Sequence, residues 1–279
     1  MQENNLTKPK VIAIVGPTAS GKTSFAIDLA LKLNTEIISA DSRLVYKFMD
    51  IGTAKPSSKE LSQIQQHMIN VIEPSVNEFS LGEYLKQAYP LLINILEKKK
   101  IVIVVGGTGF YLRALLEGSP LKAVAPCETF RETLKDISTE ELFQRLINKR
   151  NIHENDRFRI IRALEVQEFS NSEETILENN FDIEFIGLNF DRAILRQRIR
   201  ERSENMLKQG LIDECKFLLS KYGELEIFHK TIGYKECIEA LKTNDFDNLL
   251  EKIVISTAQY AKRQMTWFKT NKKINWINN

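Results

Sequence analysis

Residues 16–23 read Gly16, Pro17, Thr18, Ala19, Ser20, Gly21, Lys22, Thr23 and fit the phosphate-loop pattern G-x-x-x-x-G-K-[ST]. The chemistry this spacing offers is the grip of a diphosphate or polyphosphate. Glycines let the backbone curl until its N–H groups point inward at a helix N-terminus, and Lys22 adds a full charge to those dipoles. Thr23 supplies the hydroxyl that a magnesium ion on the same anion takes as a ligand. The pattern carries weight only between a strand and a helix. Here the apolar run Val11–Val15 precedes it and a segment of helical period, Ser24–Leu33, follows. The bland alternative is a glycine turn with no ligand.

Asp41 follows a second short apolar run, Glu36–Ala40. In an open parallel sheet ligands lie beyond the carboxyl ends of the strands, so Asp41 is either a carboxylate in the phosphate loop's crevice or a helix cap. Ile101–Val105 is continuous and β-branched, the pattern of a strand buried on both faces, and it ends in Gly106, Gly107, Thr108, Gly109. Most phosphate-loop NTPases need an acidic residue at such a strand end to position magnesium and water. This strand delivers glycines and a hydroxyl instead.

Basic residues cluster downstream. Asp191–Met206 carries Arg192, Arg196, Arg198, Arg200 and Arg202, a local bias that suits nucleic acid. Leu195, Ile199 and Met206 share one helix face, and Arg202 falls on that same face. An arginine buried there needs an anion, either a protein carboxylate or a ligand phosphate. Upstream, Asn155 and Asp156 read as helix caps. Ile160, Ile161 and Leu164 define the inward side of the helix that follows, leaving Arg159 and Arg162 facing outward. Those two serve a solvated face or a polyanion contact.

The elements that must position these groups follow from the rest of the chain. Its 279 residues hold 39 basic and 37 acidic side chains, so no global field announces nucleic acid. Cys127, Cys215 and Cys237 lack the spacing of a disulfide frame or zinc site, and no apolar run reaches membrane-spanning length. A cytoplasmic protein that avoids the membrane is expected, with a monomer as its working unit. Helical period runs over Ser80–Glu97, Phe110–Leu116, Leu207–Leu219 and about 248–269, and Ile274–Ile277 reads as a short terminal strand. The lone His67 reads as structural. Between Leu121 and Asn180 the texture is charged and helical without a strand. The expected architecture is therefore α/β: a phosphate-loop NTPase-like parallel sheet flanked by helices, formed by 1–120 and 181–279, with an all-helical insertion domain at 121–180.

Taken together, the motifs resemble the tRNA dimethylallyltransferase family, the isopentenyl transferases that prenylate the adenine 3′-adjacent to the anticodon. The resemblance is carried by residues 16–23, Asp41–Tyr46, Gly52–Pro56, Val105–Leu112, Asn155–Val166, Ile232–Glu236 and Ala261–Phe268, in family order over essentially the whole chain. The chain departs from the family with Leu44 for a glutamine, Gln66 where a histidine pair is usual, Asn70 for an aspartate and Glu154 for a proline.

The resemblance implies transfer of a dimethylallyl group from dimethylallyl diphosphate to the exocyclic amine of that adenine, with diphosphate released and magnesium as the cofactor. It implies Asp41 as general base and Thr108 near the bridging oxygen. An arginine on the diphosphate is also implied; the helix-face argument selects Arg202 over Arg198. Asp41, Ser42, Arg43, Leu44 and Lys55 are expected to meet tRNA near the target base, flipped from the anticodon stem-loop. Arg159, Arg162 and the insertion are expected to grip the stem. A nucleoside or small-metabolite kinase is the competing reading, disfavoured by the strand ending in Gly-Gly-Thr. A GTPase-like switch lacks any N-K-x-D sequence.

Overall fold

The computed structural model describes residues 8–75, 79–118, 124, 127–149, 152–170 and 180–278. It falls into two compact units, Met1–Glu117 with Asn179–Asn279, and Gly118–Glu178.

The first unit begins with β1 (Lys10–Val15), α1 (Lys22–Leu33), β2 (Ile37–Ser39), α2 (Ser58–Gln63) and β3 (Gln66–His67). Next come α3 (Leu81–Lys99), β4 (Ile101–Val105) and α4 (Gly109–Glu117). The second unit holds α5 (Glu128–Thr133), α6 (Thr139–Gln144) and α7 (Arg157–Phe169). The chain then returns with β5 (Asp182–Asn189), α8 (Arg192–Lys208), α9 (Leu211–Tyr222) and α10 (Glu226–His229). It ends with α11 (Tyr234–Thr243), α12 (Leu249–Phe268) and β6 (Ile274–Asn278).

The six strands form one sheet in the order β3-β2-β4-β1-β5-β6, every neighbouring pair parallel. Parallel strands need crossovers, and helices in those crossovers cover the faces, which is why β1 and β4 carry unbroken apolar runs. Ala26, Ile27 and Ala30 of α1 pack on Ile12, Ile14, Ile37, Ile103 and Val105. The order places β1, β2 and β4 side by side, so their carboxyl ends share one rim.

The sequence reading gives no strand at Gln66–His67, yet these residues pair with Ile37 and Ile38. Two residues have no readable period. His67 is structural, its Nε2 lying 2.7 Å from Glu36. In the second unit, Leu134, Leu142, Leu146, Ile160 and Leu164 form a separate small core.

Candidate active site

The phosphate loop turns between β1 and α1 on backbone that few side chains tolerate. Gly16 and Gly21 have φ of 148° and 77°, and Ala19 takes 63°. A Cβ on Gly16 would meet the Leu188 carbonyl at 2.8 Å, so glycine is obligatory there. Lys22 Nζ reaches back to donate to the Pro17 carbonyl at 2.6 Å. Burial pulls its ammonium down to about 7, against the pull of Asp41 and with added depression from Arg202.

Lys22, Thr18, Thr23, Asp41 and Arg202 line one pocket, together with Gly106, Gly107 and Leu44. The sheet rim therefore gathers the phosphate loop, the first carboxylate after β2 and the glycines after β4. Asp41 Oδ1 accepts the Arg43 N–H at 2.8 Å, which fixes the carboxylate. Its Oδ2 lies 4.0 Å from where a Cβ on Gly107 would stand, on the pocket side. Thr108 flanks this lining: its Oγ1 accepts the Ser42 N–H at 3.1 Å. Tyr260 of α12 also lines the pocket and hydrogen-bonds Thr108; burial and the Asp41 charge push its phenol up to about 12.

Arg202 lies on the inward face of α8 and is half-buried. Ile199 and Met206 are buried, and the guanidinium sits in the pocket, donating to the Thr53 carbonyl at 3.3 Å. Arg198 instead lies exposed over the Phe190 ring, 4.2 Å from its centroid, with an NH group 3.9 Å from where a Cβ on Gly21 would stand. It borders the loop rather than the pocket. Arg43 donates to the Lys230 carbonyl at 3.4 Å.

Two residues expected to meet RNA are committed elsewhere. The Lys55 side chain is 3% exposed, and its ammonium donates to the Tyr46 carbonyl, Asp50 and Asn70. Lys55 is thus an internal strut. Asn70 accepts from Lys55 at 2.6 Å. Arg162 does not face outward: it pairs with Glu165, 0% exposed, and donates to the Val124 carbonyl. Glu165 also takes Arg131, and a buried carboxylate of this kind needs such cations. Arg159 is exposed, pairing with Asp156, which caps α7. Asn155 makes no cap; its N–H donates to His153.

Sequence reading missed the supports of the pocket. Glu214 of α9 accepts the N–H groups of Asp50, Ile51 and Gly52, and the Tyr234 hydroxyl at 2.7 Å. This carboxylate holds the loop that carries Thr53, Ala54 and Pro56 into the pocket lining. Its backbone partners lie more than 160 residues away in sequence, beyond any local pattern. Glu214→Ala is expected to cost about 3 kcal/mol, because charge-accepted bonds vanish and backbone donors lose their partner. Chemical denaturation measures this; a loss below about 0.5 kcal/mol, the scatter of ordinary surface changes, would deny Glu214 that role.

The sequence profile described as IPP transferase matches residues 44–271. The tRNA dimethylallyltransferase of Streptococcus agalactiae serotype Ia is 41% identical over 277 residues, covering 98% of this chain and 93% of the relative. That of Thermoanaerobacter sp. strain X514 is 39% identical over 288 residues, covering 96% and 91%. Among solved structures, the full-length tRNA isopentenylpyrophosphate transferase of Bacillus halodurans is similar with a TM-score of 0.73 at 33% identity, over 97% of this chain and 90% of that one. A eukaryotic dimethylallyltransferase acting on tRNA has a TM-score of 0.80 at 27% identity, over 96% and 73%. With a phosphate-loop motif and Asp41 in one pocket, and with this similarity throughout its length, the chain belongs to the IPP transferase family of tRNA dimethylallyltransferases.

Proposed function

We propose that this enzyme transfers a dimethylallyl group from dimethylallyl diphosphate to the exocyclic amine of the adenine 3′-adjacent to the anticodon of tRNA, releasing diphosphate. The observation that carries this reading is the shared pocket of Lys22, Arg202 and Asp41. Two cations there face a leaving anion, and one carboxylate takes a proton.

The amine's lone pair is delocalised into the adenine ring, so it attacks only as its proton departs. Asp41 is the base, its carboxylate already oriented by the Arg43 N–H. As the C–O bond of the allylic diphosphate breaks, negative charge gathers on the bridging oxygen. Lys22, Arg202, the loop amides and Thr108 stabilise it. Arg198 adds charge at the loop's border. No water needs activation, which accounts for the glycines after β4. Leu44, Pro56, Ile69 and Val105 in the lining suit the five-carbon tail.

The Thr23 hydroxyl brings a hard oxygen donor into this lining. It fits magnesium, which keeps waters and phosphate oxygens as its other ligands. Bound there, the ion would offset charge on the leaving diphosphate. Asp41, Ser42, Arg43 and Leu44 meet the flipped base, and the exposed Arg159 of the helical unit supplies a backbone contact to the stem. A tRNA substrate fits a cytoplasmic enzyme, read here as a monomer.

Incubation with undermodified tRNA and either dimethylallyl diphosphate or ATP tests the reading. A prenyl mass gain on the anticodon-loop adenine supports it; ATP turnover with unchanged RNA removes it in favour of a kinase.

A pH signature follows from Lys22. The ammonium sits at about 7 in the free protein, against an ordinary 10.5. A bound anion restores the charge, so diphosphate binding takes up protons between these limits and none well below pH 7. At pH 8 uptake should approach about one proton, read from calorimetry in buffers of different ionisation enthalpy. Lys22→Arg stays charged and should abolish it. Equal uptake in both proteins would remove Lys22 as the source.

A further inference from the structure

We infer that Gln264 of α12 is a positioning residue for prenyl transfer, a two-bond bridge that sets the phosphate loop in register with the loop carrying Thr108. Its Oε1 accepts the Thr18 N–H at 2.7 Å, and its Nε2 donates to the Gly107 carbonyl at 3.0 Å. A backbone N–H requires an oxygen and a carbonyl requires an N–H, so only one orientation of the amide serves both. The side chain is 6% exposed and lines the pocket. It lies on the same face of α12 as the buried Ala261 and Phe268, a polar group in an apolar stripe. Gly107 is what admits it, since a Cβ there would stand 2.2 Å from Nε2.

This inference rests on the proposed transfer. The phosphate loop holds the leaving diphosphate, whereas Thr108, one residue past Gly107, serves its bridging oxygen. Moving Gly107 against Thr18 displaces one partner of the same bond from the other. Near-attack geometry is lost over such small shifts, and a displacement of about 1 Å costs roughly 100-fold in rate. The bridge also consumes the Thr18 N–H, so that amide is spent on the protein and is not a donor to the anion.

Two variants test this by product formation on undermodified tRNA. Gln264→Met keeps the length and removes both bonds. It should lower kcat by about 100-fold, the cost of misplaced reacting groups, while tRNA affinity stays within about twofold. Gln264→Glu keeps the acceptor and regains a donor only when protonated. Lys22, Asp41, Arg202 and Tyr260 line the same pocket, and Arg43 and Arg263 lie near Tyr260; all are present in both proteins, so the ratio of wild-type to variant kcat reports the new carboxylate together with its effect on these neighbours. That ratio should fall at least fivefold between pH 8 and pH 6. A folded Gln264→Met with kcat within threefold of wild type overturns the inference, as does a ratio that does not change with pH. If the wild-type protein itself forms no prenylated RNA, the proposed transfer fails instead.

Discussion

Asp41→Ala should lower prenyl transfer by about 1,000-fold while leaving tRNA affinity within a fewfold. A positioned general base contributes about 100- to 10,000-fold, and here the dependence is steep because the neutral aromatic amine is a poor nucleophile until deprotonated. Other groups in the lining do not replace it. Lys22 and Arg202 are committed to the anion, and Tyr260, held at about 12, gives up its proton too reluctantly. The substitution also removes the carboxylate that accepts the Arg43 N–H. That bond is local, two residues along the chain, so the sheet rim should survive. Filter binding of tRNA separates lost chemistry from lost recognition. Turnover within tenfold of wild type would assign the proton to another acceptor.

Arg202→Gln should weaken dimethylallyl diphosphate, lowering kcat/KM for it by about 100-fold with the KM for tRNA little changed. Charge-assisted bonds inside a water-excluded pocket are worth a few kcal/mol, and each 1.4 kcal/mol is tenfold. The guanidinium is half-buried and donates to the Thr53 carbonyl in the pocket, whereas Arg198 stacks in the open on Phe190. Arg198→Gln should therefore cost less than about tenfold, the scale of an exposed charge near a surface anion. Steady-state kinetics on both variants decides between them. A large loss at Arg198 with little at Arg202 would mean that the bound anion lies at the loop's border.

Much of this site was readable in the chain because its parts sit where periodic elements end. The runs of β1, β2 and β4 are apolar, and the parallel order brings Gly16, Asp41 and Gly107 to one rim. Arg202 was visible as a charge on an apolar helix face. Other residues were opaque for definite reasons. Lys55 and Arg162 look like free cations until their acceptors appear, and the Glu165 that binds Arg162 carries no outward sign of burial. β3 is two residues long and shows no alternation. Gln264 broke an apolar stripe just as Arg202 did, and the same period argument would have found it. Its partners, however, lie 246 and 157 residues away, so its purpose was hidden even where its oddity was not.

A crystal structure with an unreactive thio-analogue of dimethylallyl diphosphate and an anticodon stem-loop measures the central geometry directly. The target adenine's exocyclic nitrogen should lie about 2.6–3.2 Å from an Asp41 oxygen, the reach of a general base, with the analogue's two phosphates seated on Gly16–Thr23 and Arg202. An adenine out of hydrogen-bond reach of Asp41, or phosphates bound away from that loop, would contradict it.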